Sequence, residues 1–411
     1  MTQQKICVVT SGHLTTCPRM VKAARAFSEA GYDVRVVSAT LMTHFRDMDE
    51  ALVARERWEW DPIEWAADRE WLTYTRTRVR HNVARRATAV IGNHRAPFAI
   101  AAAAFHRLHC EVRDRAASQP ADLYYGGGGG TTAAVAAAAA RNGAKFGVDL
   151  EDFHSGESGQ GEGRRDLVER IERGVLGRAD LLTAGSPAIA DAYRRKYNVT
   201  ITPVCNTFPL PPVRPSPAAD SGSGLRLYWF SQTIGPGRGL ETVVDAIGLG
   251  GISGELHLRG ACDDSFIAML QQRIARSAPT LRLITHGVEP QERMVDLCRP
   301  YDVGLAAEPA TSINNALSLS NKALTYPLAG LALALTDTPG HRPLIDDVRQ
   351  HAAVYAPNDA AALARGLRAW HDDRAALRCA MAASWAAAVN RWHWEDHDRD
   401  ALLAATRGAL G

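Results

Sequence analysis

No stretch of this 411-residue chain is both long enough and apolar enough to cross a bilayer. The most apolar candidate, Ala133 to Ala140, runs into Arg141, Asn142 and Gly143, so a membrane-embedded protein is not expected. Cysteine is sparse. Its seven residues, Cys7, Cys17, Cys110, Cys205, Cys262, Cys298 and Cys379, contain no C-x-x-C pair and are odd in number, which fits reduced thiols better than a disulfide framework or a zinc site. An excess of one charge is also missing, because the net charge is only +2; without a global basic field, no nucleic-acid partner is expected. The residues Met1 to Thr10 lead into a β-branched run without the apolar region of a signal peptide, which makes a cytoplasmic location the expectation.

What is present is the pattern of a globular α/β protein. The chain is 46% hydrophobic and 22% charged, and its length exceeds what one core usually organises, so two domains are expected. Lys5 to Thr10 reads as a strand, Pro18 to Ala30 as a helix stopped by Gly31, and Asp33 to Ser38 as a second strand. Glu70 to Arg115 reads as helix, broken at Pro97. Strand and helix patterns then alternate from Asp122 to Cys205, and such alternation implies a parallel sheet. Residues 206–224 are dominated by Pro, Ser and Gly and carry no apolar period, which marks a linker after an N-terminal Rossmann-like domain at 1–205. A second alternating series begins at Leu225. The tail from Asp372 is continuously helical in pattern and carries Trp385, Trp392 and Trp394. The expected fold is therefore α/β, with two doubly wound parallel sheets facing a cleft at the carboxyl ends of their strands.

The most informative segment is Leu319 to Gly340. It reads as a polar turn, an amphipathic helix stopped at Gly330, a buried strand and a second turn, and it sets Ser320, Asn321 and Lys322 at a helix start, where free N–H groups and a cation attract phosphate. This segment resembles the donor-diphosphate element of GT-B glycosyltransferases of the large family-4 group, with Thr325 at the position of a usual Glu. The resemblance extends over nearly the whole chain. Val168 to Tyr193 is similar to the segment ending that family's N-terminal domain, Pro203-Val-Cys-Asn206 to its Ile-Pro-Asn signature, and Leu225 to Leu240 to its Val-Gly-Arg-Leu, Glu-Lys-Gly-Leu segment.

The resemblance implies a C-terminal nucleotide-sugar domain at 225–385 and a helix at 386–411 that packs back on the N-terminal, acceptor-side domain. It also implies a retaining, metal-independent transfer of a sugar from a nucleotide-sugar donor to a glycan, lipid-linked or small-molecule hydroxyl. Such an enzyme needs no cofactor, since the nucleotide-sugar is its substrate.

Without a metal, the departing diphosphate must be stabilised by fixed cations and backbone N–H groups, and Arg238 and Lys322 are the candidates. Arg238 stands in the glycine-rich Gly235 to Gly239, at the family's Lys position, with Gln232 at its preceding Arg position. Gly12, Gln232, Arg238, Gly239, Asn314, Asn315, Ser320, Asn321, Lys322 and Thr325 form the expected donor set. Glu308 follows a predicted strand and is a catalytic candidate, as are Asp152 and His154 beyond the strand Lys145 to Leu150. His13 and Glu151 are acceptor-side candidates. The family's paired glutamates would fall at Leu317 and Thr325, and neither is acidic. Gly126 to Gly130 lacks the spacing and the lysine of a phosphate loop and reads as a tightly packed turn.

Two other patterns invite a functional reading. Asp398 and Asp400 form a D-x-D, and His393 and His397 have i, i+4 spacing, but both lie in the helical tail; a solvated helix face is expected there, and no metal. Trp58, Trp60, Trp65 and Trp71 precede Arg76, Arg78, Arg80, Arg85 and Arg86. Together they read either as a basic aromatic surface in peripheral contact with the inner membrane or as a charged helix face over core tryptophans. Two rivals to the transferase reading stay open: a sugar-nucleotide epimerase of the same architecture, and a nucleotide-sugar-binding homologue with little turnover.

Overall fold

The computed structural model describes residues 3–157, 159, 161–215 and 224–411, so that 216–223, in the expected linker, lie outside the described residues. The chain divides into two compact units, one of residues 1–204 with 399–411 and one of residues 205–398.

The first unit is built on a seven-stranded sheet whose described pairings are all parallel. Its strands are β1 (Lys5–Thr10), β2 (Asp33–Thr40), β3 (Glu59–Glu64), β4 (Leu123–Gly127), β5 (Lys145–Leu150), β6 (Leu181–Ala184) and β7 (Thr202–Pro203), in the order β3-β2-β1-β4-β5-β6-β7. Because β1 and β4 are central and covered on both faces, they are apolar almost throughout, and Ile6 to Val9 are buried. At the edge lies β3, which the apolar pattern did not reveal; it holds Pro62, tolerated there because an edge strand need not donate on both sides. The break at Pro97 is present: helices run Trp71–Ile91, Phe98–Phe105 and His109–Ala116.

A buried ion pair ties the helix Pro18–Glu29 to β5. Arg19 donates to both Asp149 oxygens, at 2.7 and 2.6 Å, and its Nη1 reaches the Val204 carbonyl at 2.9 Å. The Thr183 hydroxyl donates to the same carboxylate at 2.6 Å, so Asp149 is satisfied from two elements, as a buried charge must be. The glycines that end and follow β4 answer to packing. A Cβ on Gly126 would lie 2.7 Å from Val135, one on Gly127 2.6 Å from Met20, and one on Gly130 2.5 Å from Ser11.

The second unit carries a six-stranded parallel sheet of β8 (Leu225–Ile234), β9 (Gly254–Cys262), β10 (Leu281–His286), β11 (Val303–Ala306), β12 (Ala332–Thr336) and β13 (Ala353–Tyr355). Its order is β10-β9-β8-β11-β12-β13. In both units the order reverses beside the first strand, between β1 and β4 and between β8 and β11. At such a reversal, loops leaving the carboxyl ends of the adjacent strands diverge, which is where open α/β sheets place their ligands. Two glycines make the second sheet possible. Gly304 has no room for a Cβ, which would sit 2.2 Å from the Tyr326 ring, and Gly239, at φ +76°, lies where a Cβ would meet the Ala307 carbonyl at 2.1 Å.

The tail is not one continuous helix. Arg374–Asn390 is capped by Asp373, the chain turns through Arg391 to His393, Trp394–Asp398 forms a π-helical turn, and Arg399–Leu410 packs in the first unit against Pro18–Glu29, β6 and β7. Nor are Asp398 and His393 on a solvated face. Asp398 is buried, accepting from the Cys205 N–H and the Thr207 hydroxyl, each at 2.6 Å, while His393 Nδ1 donates to the Ala388 carbonyl at 2.9 Å. Apolar periodicity alone could not reveal this, because the partners lie about two hundred residues away. Replacing Asp398 by Ala strands a buried N–H and a buried hydroxyl. Asp398→Ala should therefore lower the free energy of unfolding by about 2–4 kcal/mol. An unchanged urea midpoint would refute this role for the carboxylate.

Candidate functional site

In the second unit, the donor candidates gather around the carboxyl ends of β8, β11 and β12. The loop after β8 carries Gln232 and Arg238. Gln232 is exposed, whereas Arg238 is half-buried and donates to the Ser231 and Thr233 hydroxyls, both at 3.0 Å, which holds its guanidinium over the end of its own strand. Gly239 presses on Ala307, bringing this loop against the residue before Glu308.

Glu308 is the centre of a buried polar network. Its Oε1 lies 2.8 Å from Lys322 Nζ, and both side chains are nearly nine-tenths buried. Lys322 in turn sits over the Trp229 ring, 5.4 Å from its centroid, where the ring's negative face favours the cation. Burial by itself would raise the Glu308 carboxyl; the Lys322 ammonium, together with His341 and the Ser320 hydroxyl, outweighs that cost and holds the carboxyl below its usual range. The Glu308 N–H donates to Thr336 Oγ1 at 3.1 Å, locking the loop to the end of β12.

The helix Asn321–Leu328 starts at Ser320, whose hydroxyl accepts from the Ala323 N–H. Its first N–H groups have no intrahelical acceptor, and Lys322 is in its first turn, so the helix start is positive by geometry as well as by charge. Asn321 is positioned by Asn206, whose amide donates to Asn321 Oδ1 at 3.0 Å. Thr325 is fully buried, and its hydroxyl donates to the Asn321 carbonyl at 2.7 Å, so it presents no free donor away from its own helix. Leu317 is buried as well.

His341 completes the network. The sequence reading did not single it out, although it closes the turn after the buried strand Ala332–Thr336, a place where a polar residue signals a site. The ring is fully buried: Nδ1 donates to the Thr336 carbonyl at 3.1 Å, leaving Nε2 to accept from the Ser320 hydroxyl at 3.1 Å. Burial pushes its pKa below the usual imidazole range, so the ring is neutral at neutral pH.

The third segment of this end of the sheet is the loop after Glu308. Ala310 adopts φ +54°, a strained value for a residue with a Cβ, and Ser312 caps the short helix Ile313–Leu317 through the Asn315 N–H at 3.0 Å. Asn314 is half-buried there. Asn315 Oδ1 is buried without a hydrogen-bond partner, an unpaired acceptor on the residue next to it.

The first-unit candidates divide. Gly12 and His13 follow β1 beside the reversal of strand order, but both ring nitrogens of His13 are committed. Nε2 accepts from the Leu41 and Met42 N–H groups at 3.1 and 3.2 Å, and Nδ1 donates to the buried Asp49 at 2.9 Å. His13 is therefore the clasp of its loop. Glu151 is exposed and Asp152 half-buried beyond β5. His154 Nδ1 is paired with Glu157 at 2.8 Å, and Nε2 is buried without a partner. Burial would lower this imidazole, and the Glu157 carboxylate, together with Glu172 and Asp152, more than compensates, leaving its pKa raised.

No protein-family model matches the sequence, and no curated protein matches it by sequence. Solved structures do match in fold. HepE from Anabaena, determined with UDP and glucose, superimposes with a TM-score of 0.65 at 12% identity, over 98% of this chain and 98% of its own. TarM from S. aureus, determined with fondaparinux, α-GlcNAc-glycerol and UDP, gives 0.67 at 8% identity over all of both chains. A glycosyltransferase from Rickettsia africae gives 0.65 at 11% identity, over 100% of this chain and 98% of its own. The architecture is that of the GT-B glycosyltransferases.

Because Glu308 and Lys322 compensate each other in a buried setting, removing one charge should cost more than removing both. Glu308→Gln should destabilise the protein by about 3 kcal/mol, and adding Lys322→Met should recover most of it. The ionised Glu308 stabilises the fold above the 4.5 of an ordinary glutamate, and that contribution is lost as pH falls through its lower folded value. Urea titrations between neutral and acid pH should show this acid-side loss in the wild type and not in Glu308→Gln; parallel curves would overturn the assignment.

Proposed function

We propose that this protein is a nucleotide-sugar glycosyltransferase that moves a hexosyl group to a hydroxyl acceptor, with retention and without a metal. The observation that carries this reading is the Glu308–Lys322 pair at the Ser320-capped helix start, at the strand ends where the second sheet reverses its order. A cation, unpaired N–H groups and a nearby guanidinium are what a departing diphosphate requires. The fold adds support, since HepE and TarM were both determined with UDP.

In this reading Lys322 and Arg238 bind the diphosphate oxygens. Lys322 shares its charge between Glu308 and the phosphate, and Asn314 and Asn315 meet the sugar or ribose hydroxyls. Glu308 remains ionised beside Lys322 and stabilises positive charge developing at the transferred carbon. The departing phosphate takes the acceptor proton, which is why retention needs no basic dyad in the second unit. The acceptor is a glycan or a lipid-linked hydroxyl met by the first unit, with Glu151, Asp152 and His154 orienting it. Retention, the hexosyl class and the cytoplasmic setting rest on the family resemblance and on the residues named, and UDP is the nucleotide to try first.

Titration calorimetry with UDP tests the electrostatic part. Arg238→Ala should weaken binding by about 2–4 kcal/mol while leaving the urea midpoint unchanged. Transfer from UDP-glucose and UDP-N-acetylglucosamine to a panel of hydroxyl acceptors tests the chemical part, and chelators should leave the rate unchanged. Binding of UDP without turnover on any acceptor would favour a nucleotide-sugar-binding protein. Turnover of the sugar without an acceptor would favour an epimerase, and wild-type affinity in Arg238→Ala would remove Arg238 from the site.

A further inference from the structure

The helix Trp71–Ile91 has an outward face unlike the rest of the first unit. Leu72, Val79, Val83 and Val90 are all more than half exposed, reaching 88% at Val90. At 100° per residue these positions fall in one line about 40° wide along the helix. Single exposed aliphatics are ordinary, but four in one line are not. The same helix contains no Asp or Glu and carries Arg76, Arg78, Arg80, Arg85 and Arg86. Arg76 and Arg80 are paired with Glu111, whereas among the described residues Arg78, Arg85 and Arg86 are exposed with no carboxylate partner. Trp71, 63% exposed, stands at the helix start about 100° round from that line, on the same side as Arg78, Arg85 and Arg86, which lie about 40–140° from it.

The other tryptophans of this segment are wholly or partly covered. Trp58 is buried, Trp60 donates to Ser38 at 2.8 Å, and Trp65 is stacked on Tyr74 beneath Arg107. Of the two readings of this segment, the covered tryptophans fit a charged helix face better than a basic aromatic surface, and the exposed surface is basic and aliphatic on a single helix.

We propose that this face of Trp71–Ile91 docks on an anionic lipid bilayer, lying in the plane of the interface. The valines and Leu72 enter the acyl boundary, the guanidinium groups of Arg78, Arg85 and Arg86 meet lipid phosphates, and Trp71 sits at headgroup level. Charge complementarity selects this occupant. A second copy of the chain would bring like-charged helices together with no acidic residue on either, and a nucleic acid would satisfy the arginines but leave the aliphatic line in water. The inference does not depend on the glycosyl-transfer reading.

Co-sedimentation of the full chain with vesicles tests it. Binding to phosphatidylglycerol-containing vesicles, weakening with salt, should exceed binding to pure phosphatidylcholine vesicles. Arg78→Gln/Arg85→Gln/Arg86→Gln should reduce it about 100-fold, and Val79→Ser/Val83→Ser about tenfold. Circular dichroism and UDP affinity should be unchanged in both variants, which separates this test from that of the proposed reaction. Equal binding to neutral vesicles, variants that bind as the wild type does, or no vesicle binding would each overturn the proposal. So would a wild-type dimer that Val79→Ser/Val83→Ser dissociates.

Discussion

The second unit depends on one electrostatic constraint: Glu308 and Lys322 are each nearly nine-tenths buried, and either charge without the other would be uncompensated. The two side chains come from different elements, one from the loop after β11 and one from the first turn of the next long helix. Their pairing therefore fixes that helix start against the sheet. The remaining contacts follow from it. Thr336 holds the Glu308 backbone, His341 spans Thr336 and Ser320, and Ser320 caps the helix that carries Lys322. Under the proposed function, an ammonium held in this way meets phosphate without being reorganised first, which is how a preorganised cation differs from a mobile one.

The first unit solves a similar problem with a different outcome. Its buried pair, Arg19 with Asp149, is bidentate and shared with Thr183 and the Val204 carbonyl, so all three guanidinium nitrogens and both carboxylate oxygens are engaged within the fold. His13 is consumed likewise by Asp49 and two backbone N–H groups. These groups hold the fold. By contrast, Asn315 Oδ1 and His154 Nε2 are buried and unpaired. Unpaired buried polar atoms are costly, and the cost is tolerated where a ligand can later satisfy it.

The same distinction runs over the surface. Most exposed positions of the first unit are polar and cost nothing in water. The line of Leu72, Val79, Val83 and Val90 carries a standing penalty that no described contact relieves. Its neighbouring arginines limit which partners could relieve it, since they repel another basic surface and attract an anionic one.

Much of the architecture was legible because local patterns report local physics. Alternating apolar strands and helices announced two parallel sheets, Pro97 broke its helix, and Gly126, Gly127 and Gly130 read correctly as tight packing. The cap at Ser320 was also visible, because a helix start is written in adjacent residues. The edge strand β3 was not, since Pro62 and alternating polarity look like loop when no partner strand is known. The tail looked continuously helical because periodicity cannot register a carboxylate whose partners, Cys205 and Thr207, lie far away in the chain. Glu308 and Lys322 could each be picked out separately from their positions after a strand and at a helix start. Only the tertiary structure decided that they form one buried pair, that His341 joins them, that Thr325 turns inward, and that His13 is a clasp. The reason is physical: sequence spacing specifies which groups a local element presents, whereas burial, pairing and protonation depend on which distant element closes over them.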